Sequence, residues 1–133
     1  MKKRQVVITG AGACGLMAAI MAAREHAHVM ILEKKNRLGK KLLATGNGRC
    51  NFSNLARPDD AYRGEHPEFV EDALREFSVE NTIEFFKEIG IYPLNRNGYL
   101  YPRSNQAQSV VDVLCMEAAS LGVKIKTNEQ VTE

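Results

Sequence analysis

The chain has 133 residues, of which 44% are apolar and 26% charged. That describes one globular domain, or part of a larger one, and excludes a disordered or low-complexity chain. The net charge of +2 comes from 18 basic and 16 acidic residues. This balance gives no electrostatic case for a nucleic-acid or membrane partner. Gln5–Thr9 is a β-branched run ending at glycine and reads as a strand. From Ala13 to Arg24 the pattern is helical, with Leu16, Met17, Ile20 and Met21 on one face and alanines between them. His28–Leu32 is a second strand, ended by Glu33, and its nearly continuous apolar character suits a parallel strand covered on both faces. Asn36–Arg63 is polar and irregular, broken chiefly by Leu42 and Leu43. A loop of that length in a compact domain is usually functional or disordered.

Pro67–Phe77 returns to helix, with Phe69, Val70, Ala73, Leu74 and Phe77 as the apolar face. Ser78 is an N-cap candidate for a further helix that directs Ile83, Phe86 and Ile89 inward and ends at Gly90. Asn97-Gly98 between two short apolar runs signals a hairpin, and Pro93 and Pro102 mark its strands as edge or short. Ser104–Leu121 is a long helix stopped by Gly122, and Val123–Lys126 a last strand.

Cys14, Cys50 and Cys115 form neither a C-x-x-C pair nor a zinc pattern. An odd, widely spaced set suits a reducing compartment. The basic start followed by an apolar run has the outline of a signal peptide, but Gly10, Gly12 and Gly15 interrupt the run, so a cytoplasmic location is expected. The basic cluster Lys34, Lys35, Arg37, Lys40 and Lys41 is either a solvated loop or an aid to an anionic ligand.

Gly10-Ala11-Gly12-Ala13-Cys14-Gly15 is G-x-G-x-x-G, placed after a strand and opening a helix, the context that gives the pattern its meaning. In that context Gly10 permits a tight turn, Gly12 lets the backbone approach a pyrophosphate and Gly15 allows close helix packing. Glu33 lies 23 residues after Gly10, where an acid accepts hydrogen bonds from an adenosine ribose and repels a 2′-phosphate. NADP is thereby disfavoured, while FAD and NAD both remain open. A short-chain dehydrogenase is excluded because its glycine pattern would require glycines where Cys14 and Leu16 stand, and no Tyr-x-x-x-Lys pair occurs.

The stretches VVITGAGACGLMAAIMAA, VMILEKKNRLGKKLLATGNGRCNFSN, NGYLYPRSNQAQSVVDVL and GVKIKTNEQV together resemble the N-terminal part of the BaiN/YhiN-type bacterial flavoproteins. These are FAD-dependent oxidoreductases, some known as aminoacetone oxidases. The G-x-G-R-C-N segment is the most specific element. The resemblance implies an α/β fold: a glutathione-reductase-like Rossmann FAD-binding domain, incomplete, with a β-hairpin and helices inserted between the second and third parallel strands. It implies that Gly10, Gly12, Cys14 and Gly15 hold the FAD pyrophosphate, and that Glu33 holds the ribose with Lys34 beside the adenine end. Gly39, Lys40 and the loop Thr45, Gly46, Asn47, Gly48, Arg49, Cys50 and Asn51 would follow the pyrophosphate, ribityl chain and flavin. Val131 would meet the adenine edge.

Family members commonly carry Ala or Gly where Cys14 and Asn47 stand. Arg49 would balance negative charge on a phosphate or on reduced flavin, or else pin the loop by a salt bridge. Cys50 is either a redox thiol or a packed residue, and Asn51 and Asn54 satisfy loop backbone. The three histidines show no ligand spacing, and no metal site is expected. The resemblance further implies a substrate domain and a C-terminal FAD segment outside residues 1–133. Two functions follow as expectations. The chain is the FAD-binding portion of an oxidoreductase that transfers hydride or electrons, with NAD(P)H as candidate reductant and a small-molecule substrate met through the other domain. Alternatively it is a truncated, non-catalytic nucleotide-binding fragment or an NAD-binding module.

Overall fold

A computed structural model describes residues 4–56 and 61–132. Residues 57–60 of the irregular stretch lie outside the described residues. The strand β1 (Gln5–Thr9), the helix α1 (Ala13–Arg24) and the strand β2 (His28–Glu33) form a crossover unit whose strands pair in parallel, with Val6 opposite Val29 and Ile8 opposite Ile31. The last strand, β6 (Lys124–Thr127), joins the other side of β2, also in parallel, with Ile31 opposite Ile125. The order β1-β2-β6 therefore places β2 in the middle and leaves the far edge of β1 unpaired among the described residues.

Between β2 and β6 the chain inserts everything else: α2 (Lys40–Ala44), a 3-10 turn (Thr45–Gly48), β3 (Ser53–Asn54), α3 (Phe69–Glu76), α4 (Val79–Glu88), the hairpin β4 (Pro93–Arg96) and β5 (Tyr99–Pro102), and α5 (Ala107–Ser120). The inserted hairpin and helices thus stand where expected. The three short strands form a separate antiparallel sheet in the order β3-β5-β4. Asn97 and Gly98 take φ values of 52° and 92°, the paired positive values of a tight hairpin turn.

One face of the parallel sheet carries the core. Leu16, Ala19 and Ile20 of α1, Val29 and Ile31 of β2, and Val110, Leu114 and Ala118 of α5 are buried together. Removing this apolar surface from water is the main stabilising term, at roughly 25 cal/mol per Å². On the opposite face Val7 is 62% exposed. The expectation that β2 is covered on both faces is met fully on one face, where Val29 and Ile31 are buried, and only in part on the other, where Met30 and Leu32 are half-buried, because α1 and α5 pack on the same side.

Three further differences stand out. Lys40–Ala44 is a short helix rather than irregular chain, started by Gly39 in a left-handed conformation. In α4 the buried residue is Phe85, with Ile83, Phe86 and Ile89 only partly buried. Phe85 packs under the guanidinium of Arg24, whose carbon lies 5.4 Å from the ring centroid. That guanidinium also bonds Glu117 and Glu88, tying α1 to α5 and α4. The apolar face of α3 is present but uncovered, with Phe69 75% exposed. The hairpin strands are four residues each, short as expected, with β4 at the edge of its sheet and β5 in the middle; Pro102 is tolerated there because it is the strand's last residue. Ser78 caps α4 as expected, accepting from the Asn81 N–H while the Asn81 side chain accepts from the Ser78 N–H.

Candidate functional site

The glycine loop is held from three directions. The Gly10 N–H donates to the Leu32 carbonyl at 2.8 Å, the Gly39 N–H donates to the Ala11 carbonyl at 2.8 Å, and the Ala11 N–H donates to Glu33 Oε2 at 2.7 Å. Glu33 Oε1 accepts from the Lys35 N–H at 2.8 Å. These backbone bonds, that of Ala11 first and that of Lys35 second, hold the Glu33 carboxyl below the ordinary carboxylate value. Each carboxylate oxygen keeps a further lone pair for a ligand hydroxyl. Glu33 thus positions the loop itself, a role the sequence pattern did not indicate.

The first bond within α1 runs from the Leu16 N–H to the Gly12 carbonyl at 3.0 Å. The N–H groups of Ala13, Cys14 and Gly15 precede it and lack a helical acceptor, at the positive end of the helix dipole. A Cβ on Gly12 would meet nothing within 4 Å, whereas one on Gly15 would stand 1.9 Å from the Gly10 carbonyl oxygen. Gly12 therefore borders open space, and Gly15 is fixed by packing.

Two cavities flank this loop. One, of about 460 Å³, is lined by Thr9, Gly10, Leu32, Glu33, Lys34 and the segment Glu129–Val131. The segment is brought there because the Glu129 N–H donates to the Glu33 carbonyl at 3.0 Å and the Asn128 N–H to the Lys35 carbonyl at 3.1 Å. Glu33, Lys34 and Val131, distant in sequence, so share one pocket. The other cavity, of about 420 Å³, is mainly apolar. Ala13, Cys14 and Met17 of α1 line it with Thr45, Cys50 and Asn51 of the loop and with aromatic residues of α4. Nothing in the sequence pattern pointed to Met17, Phe85 or Phe86 as cavity residues: Met17 and Phe86 read as ordinary core, and Phe85 lay outside the expected inward face.

The Thr45–Asn51 loop is built from residues in left-handed conformations. Gly46, Asn47, Gly48 and Cys50 have φ values of 55°, 56°, 81° and 59°. Asn47 thereby adopts the backbone a glycine would. The loop closes through the Cys50 N–H, which donates to the Thr45 carbonyl at 3.0 Å, and through Asn51 Nδ2, which donates to the Ser53 and Leu100 carbonyls at 2.9 and 3.0 Å. Asn54 Oδ1 accepts from the Ala56 N–H. Cys50 is buried, and burial raises its thiol pKa, partly opposed by its hydrogen bond with Thr45. A neutral, enclosed thiol fits a packed residue better than a nucleophile. Cys14, in contrast, is exposed, and both thiols line the same cavity.

Arg49 has no carboxylate partner among the described residues, so the salt-bridge pin is not what holds it. Its Nε donates to the Gly46 carbonyl at 3.3 Å and its guanidinium lies over the Tyr101 ring. Lys40 is exposed in the first turn of α2, outside both cavities. Gly39 packs against α5, where a Cβ would come within 2.7 Å of Val111. Its contribution is therefore through the loop, by way of Ala11. Among the described residues no group of His, Cys, Asp and Glu could hold a metal ion, and no helix is long and apolar enough to cross a membrane.

Residues 4–133 match the family model described as the HI0933-like protein Rossmann domain. The sequence is 49% identical over 129 residues, 96% of this chain and 32% of the relative, to a 3-dehydro-bile acid delta(4,6)-reductase of Clostridium scindens. It is 30% identical over 132 residues, 98% of this chain and 33% of the relative, to a ribosomal RNA dihydrouridine synthase of Escherichia coli. The chain spans about a third of the length of the curated relatives it matches. Among solved structures, a 3-ketosteroid-delta4-(5alpha)-dehydrogenase of Rhodococcus jostii RHA1 superposes with a TM-score of 0.65 at 18% identity, covering 96% of this chain and 38% of the other. At that identity the likeness establishes the fold.

Proposed function

The chain belongs to the HI0933-like protein Rossmann domain family, and from that premise we propose that it holds the FAD of a flavin-dependent oxidoreductase. The observation that carries this reading is the pair of cavities on either side of one phosphate-type loop. The polar cavity at Glu33, Lys34 and Val131 suits an adenosine. The free N–H groups of Ala13, Cys14 and Gly15, beside the open space at Gly12, suit a pyrophosphate. The apolar cavity against Thr45, Cys50 and Asn51 suits the flavin half better than a nicotinamide riboside, which needs less apolar room.

In this reading Gly10 and Gly15 shape the loop, Gly39 braces it, and Glu33 both fixes it and accepts the ribose hydroxyls. Thr45, Gly46, Gly48, Arg49, Cys50 and Asn51 border the flavin, and Lys34 and Lys40 add positive charge along the dinucleotide. When bound, the flavin supplies hydride or electron transfer. The chain's own part is to orient it, keep water from one side and supply fixed dipoles. NADH or NADPH would reduce the flavin from outside this chain's dinucleotide site.

The substrate class is proposed from the two relatives. A delta(4,6)-reductase acting on a 3-dehydro acid and a synthase of dihydrouridine both saturate a ring double bond conjugated to a carbonyl. We therefore assign the whole protein to reduction of such an activated C=C bond, on a substrate held mainly outside residues 1–133.

The test is a titration of FAD into the purified protein. The chain has no tryptophan, so the flavin's own fluorescence reports binding. Saturable quenching that ADP relieves and NAD relieves poorly is expected. NAD competing as well as FAD would move the site to an NAD-binding module, and no binding of either would leave a non-catalytic fragment.

A further inference from the structure

The small antiparallel sheet carries a feature, centred on Tyr101, that the cofactor reading draws on only through Arg49. In β5, Leu100 is buried, so Tyr99 and Tyr101 project from the opposite face, and Tyr99 is 50% exposed. By register Arg96 pairs with Tyr99 and Leu94 with Tyr101, which puts Arg96 on that same face. Arg96 sets its guanidinium carbon 5.9 Å from the centroid of the Tyr101 ring, and Arg49 of the Thr45–Asn51 loop sets its own 5.8 Å from the same centroid. Two permanent positive charges therefore share one phenol, at most about 12 Å apart. Neither has a carboxylate within ion-pair distance among the described residues. Arg24 shows the contrast: it too lies over a ring, Phe85, but two glutamates neutralise it.

Two guanidinium groups set against one ring, neither with a carboxylate partner among the described residues, leave charged donors free for an anion. The neighbouring Tyr99 adds a flat, half-exposed ring against which a flat body can lie. We propose that Arg49, Arg96 and Tyr101 form an anion-recognition subsite for the substrate, accepting a carboxylate or phosphate attached to a flat ring system. Arg49 belongs to the loop that also borders the apolar cavity through Thr45, Cys50 and Asn51. An anion anchored there leaves its ring body beside the loop assigned to the flavin. This deepens the functional reading above and rests on it for the nature of the ring, but the anion site itself is read by binding alone.

The experiment is equilibrium binding, with FAD content recorded in parallel. The probes are cholate, its uncharged methyl ester and a hexamer of uridylate. Cholate is expected to bind at least tenfold tighter than the ester. Arg96→Ala should erase that preference, and Arg96→Lys should restore part of it, with FAD content unchanged throughout. A hexamer that binds in an Arg96-dependent manner, where cholate shows no such dependence, identifies the anion as phosphate and supports the subsite. Equal binding of acid and ester, together with Arg96-independent hexamer binding, overturns it. Loss of FAD binding with the Arg96-dependent preference intact would overturn the cofactor reading and leave the anion site standing.

Discussion

Gly12 and Gly15 separate open space beside the loop from space filled by the protein. An alanine methyl at position 15 would stand 1.9 Å from the Gly10 carbonyl oxygen, and real Cβ atoms essentially never come within 3.0 Å. Helix and loop would have to part by about 1 Å, against a backbone atom that cannot rotate away. Overpacking of this kind costs about 3 kcal/mol, the upper end of its usual range. For a chain of this size that is a fall in Tm of about 12 °C, at roughly 4 °C per kcal/mol. At position 12 the same methyl meets nothing within 4 Å, and φ of −83° with ψ of −169° is extended backbone open to alanine. Gly12→Ala should therefore melt within about 2 °C of the parent. Its Kd for FAD should rise at least about tenfold, because the methyl occupies the approach to the Ala13, Cys14 and Gly15 N–H groups. Circular dichroism melts and flavin-fluorescence titrations of both variants read the two effects. A Gly12→Ala protein that binds FAD as the parent does would refute a pyrophosphate at this loop. A Gly15→Ala protein with unchanged Tm would refute the close packing.

Three more outcomes follow from the same geometry. Glu33 has a depressed pKa in the folded chain, so its bonds to Ala11 and Lys35 stabilise fully above the unfolded value of 4.5 and are lost as pH falls through the lower folded value. A Tm profile should drop below pH 4.5, and Glu33→Gln should flatten that drop while weakening FAD binding at pH 7. Ser78→Ala removes the reciprocal cap on α4 and should cost about 1 kcal/mol in urea denaturation, with earlier amide exchange at Asn81. Iodoacetamide followed by mass spectrometry should label exposed Cys14 and spare buried Cys50, whose thiol is held protonated at neutral pH. Added FAD should slow labelling of Cys14, and a rate indifferent to FAD would place the ligand elsewhere.

The sequence was most informative where local rules act alone. Gly10–Gly15 and Glu33 stand where strand, turn and helix spacing put them, and the Ser78 cap and Asn97-Gly98 turn follow from bonds between residues a few positions apart. Asn47 likewise takes a positive φ, which a short polar side chain tolerates. It was least informative where partners are distant. Phe85 and Phe86 are adjacent and equally apolar, and only the position of Arg24 and α5 decides which is buried. Leu42 and Leu43 gave too short an apolar run to mark α2, which forms because Gly39 is braced by Ala11 and Val111. The apolar face of α3 was legible, but its lack of cover was not.

By itself, then, the sequence determined the parallel strand–helix–strand unit, the glycine-rich turn between them and the balance of charge, because each depends on backbone geometry and spacing within a short stretch. Only the tertiary structure decided that Val131 meets Glu33, that Cys14 and Cys50 line one cavity, and that Arg49 and Arg96 share Tyr101. Those meetings join residues tens of positions apart, and they exist because β6 returns beside β2 and β5 packs behind the loop. Net charge is a sum over the chain, whereas two guanidinium groups meeting one phenol is a matter of where side chains come to rest.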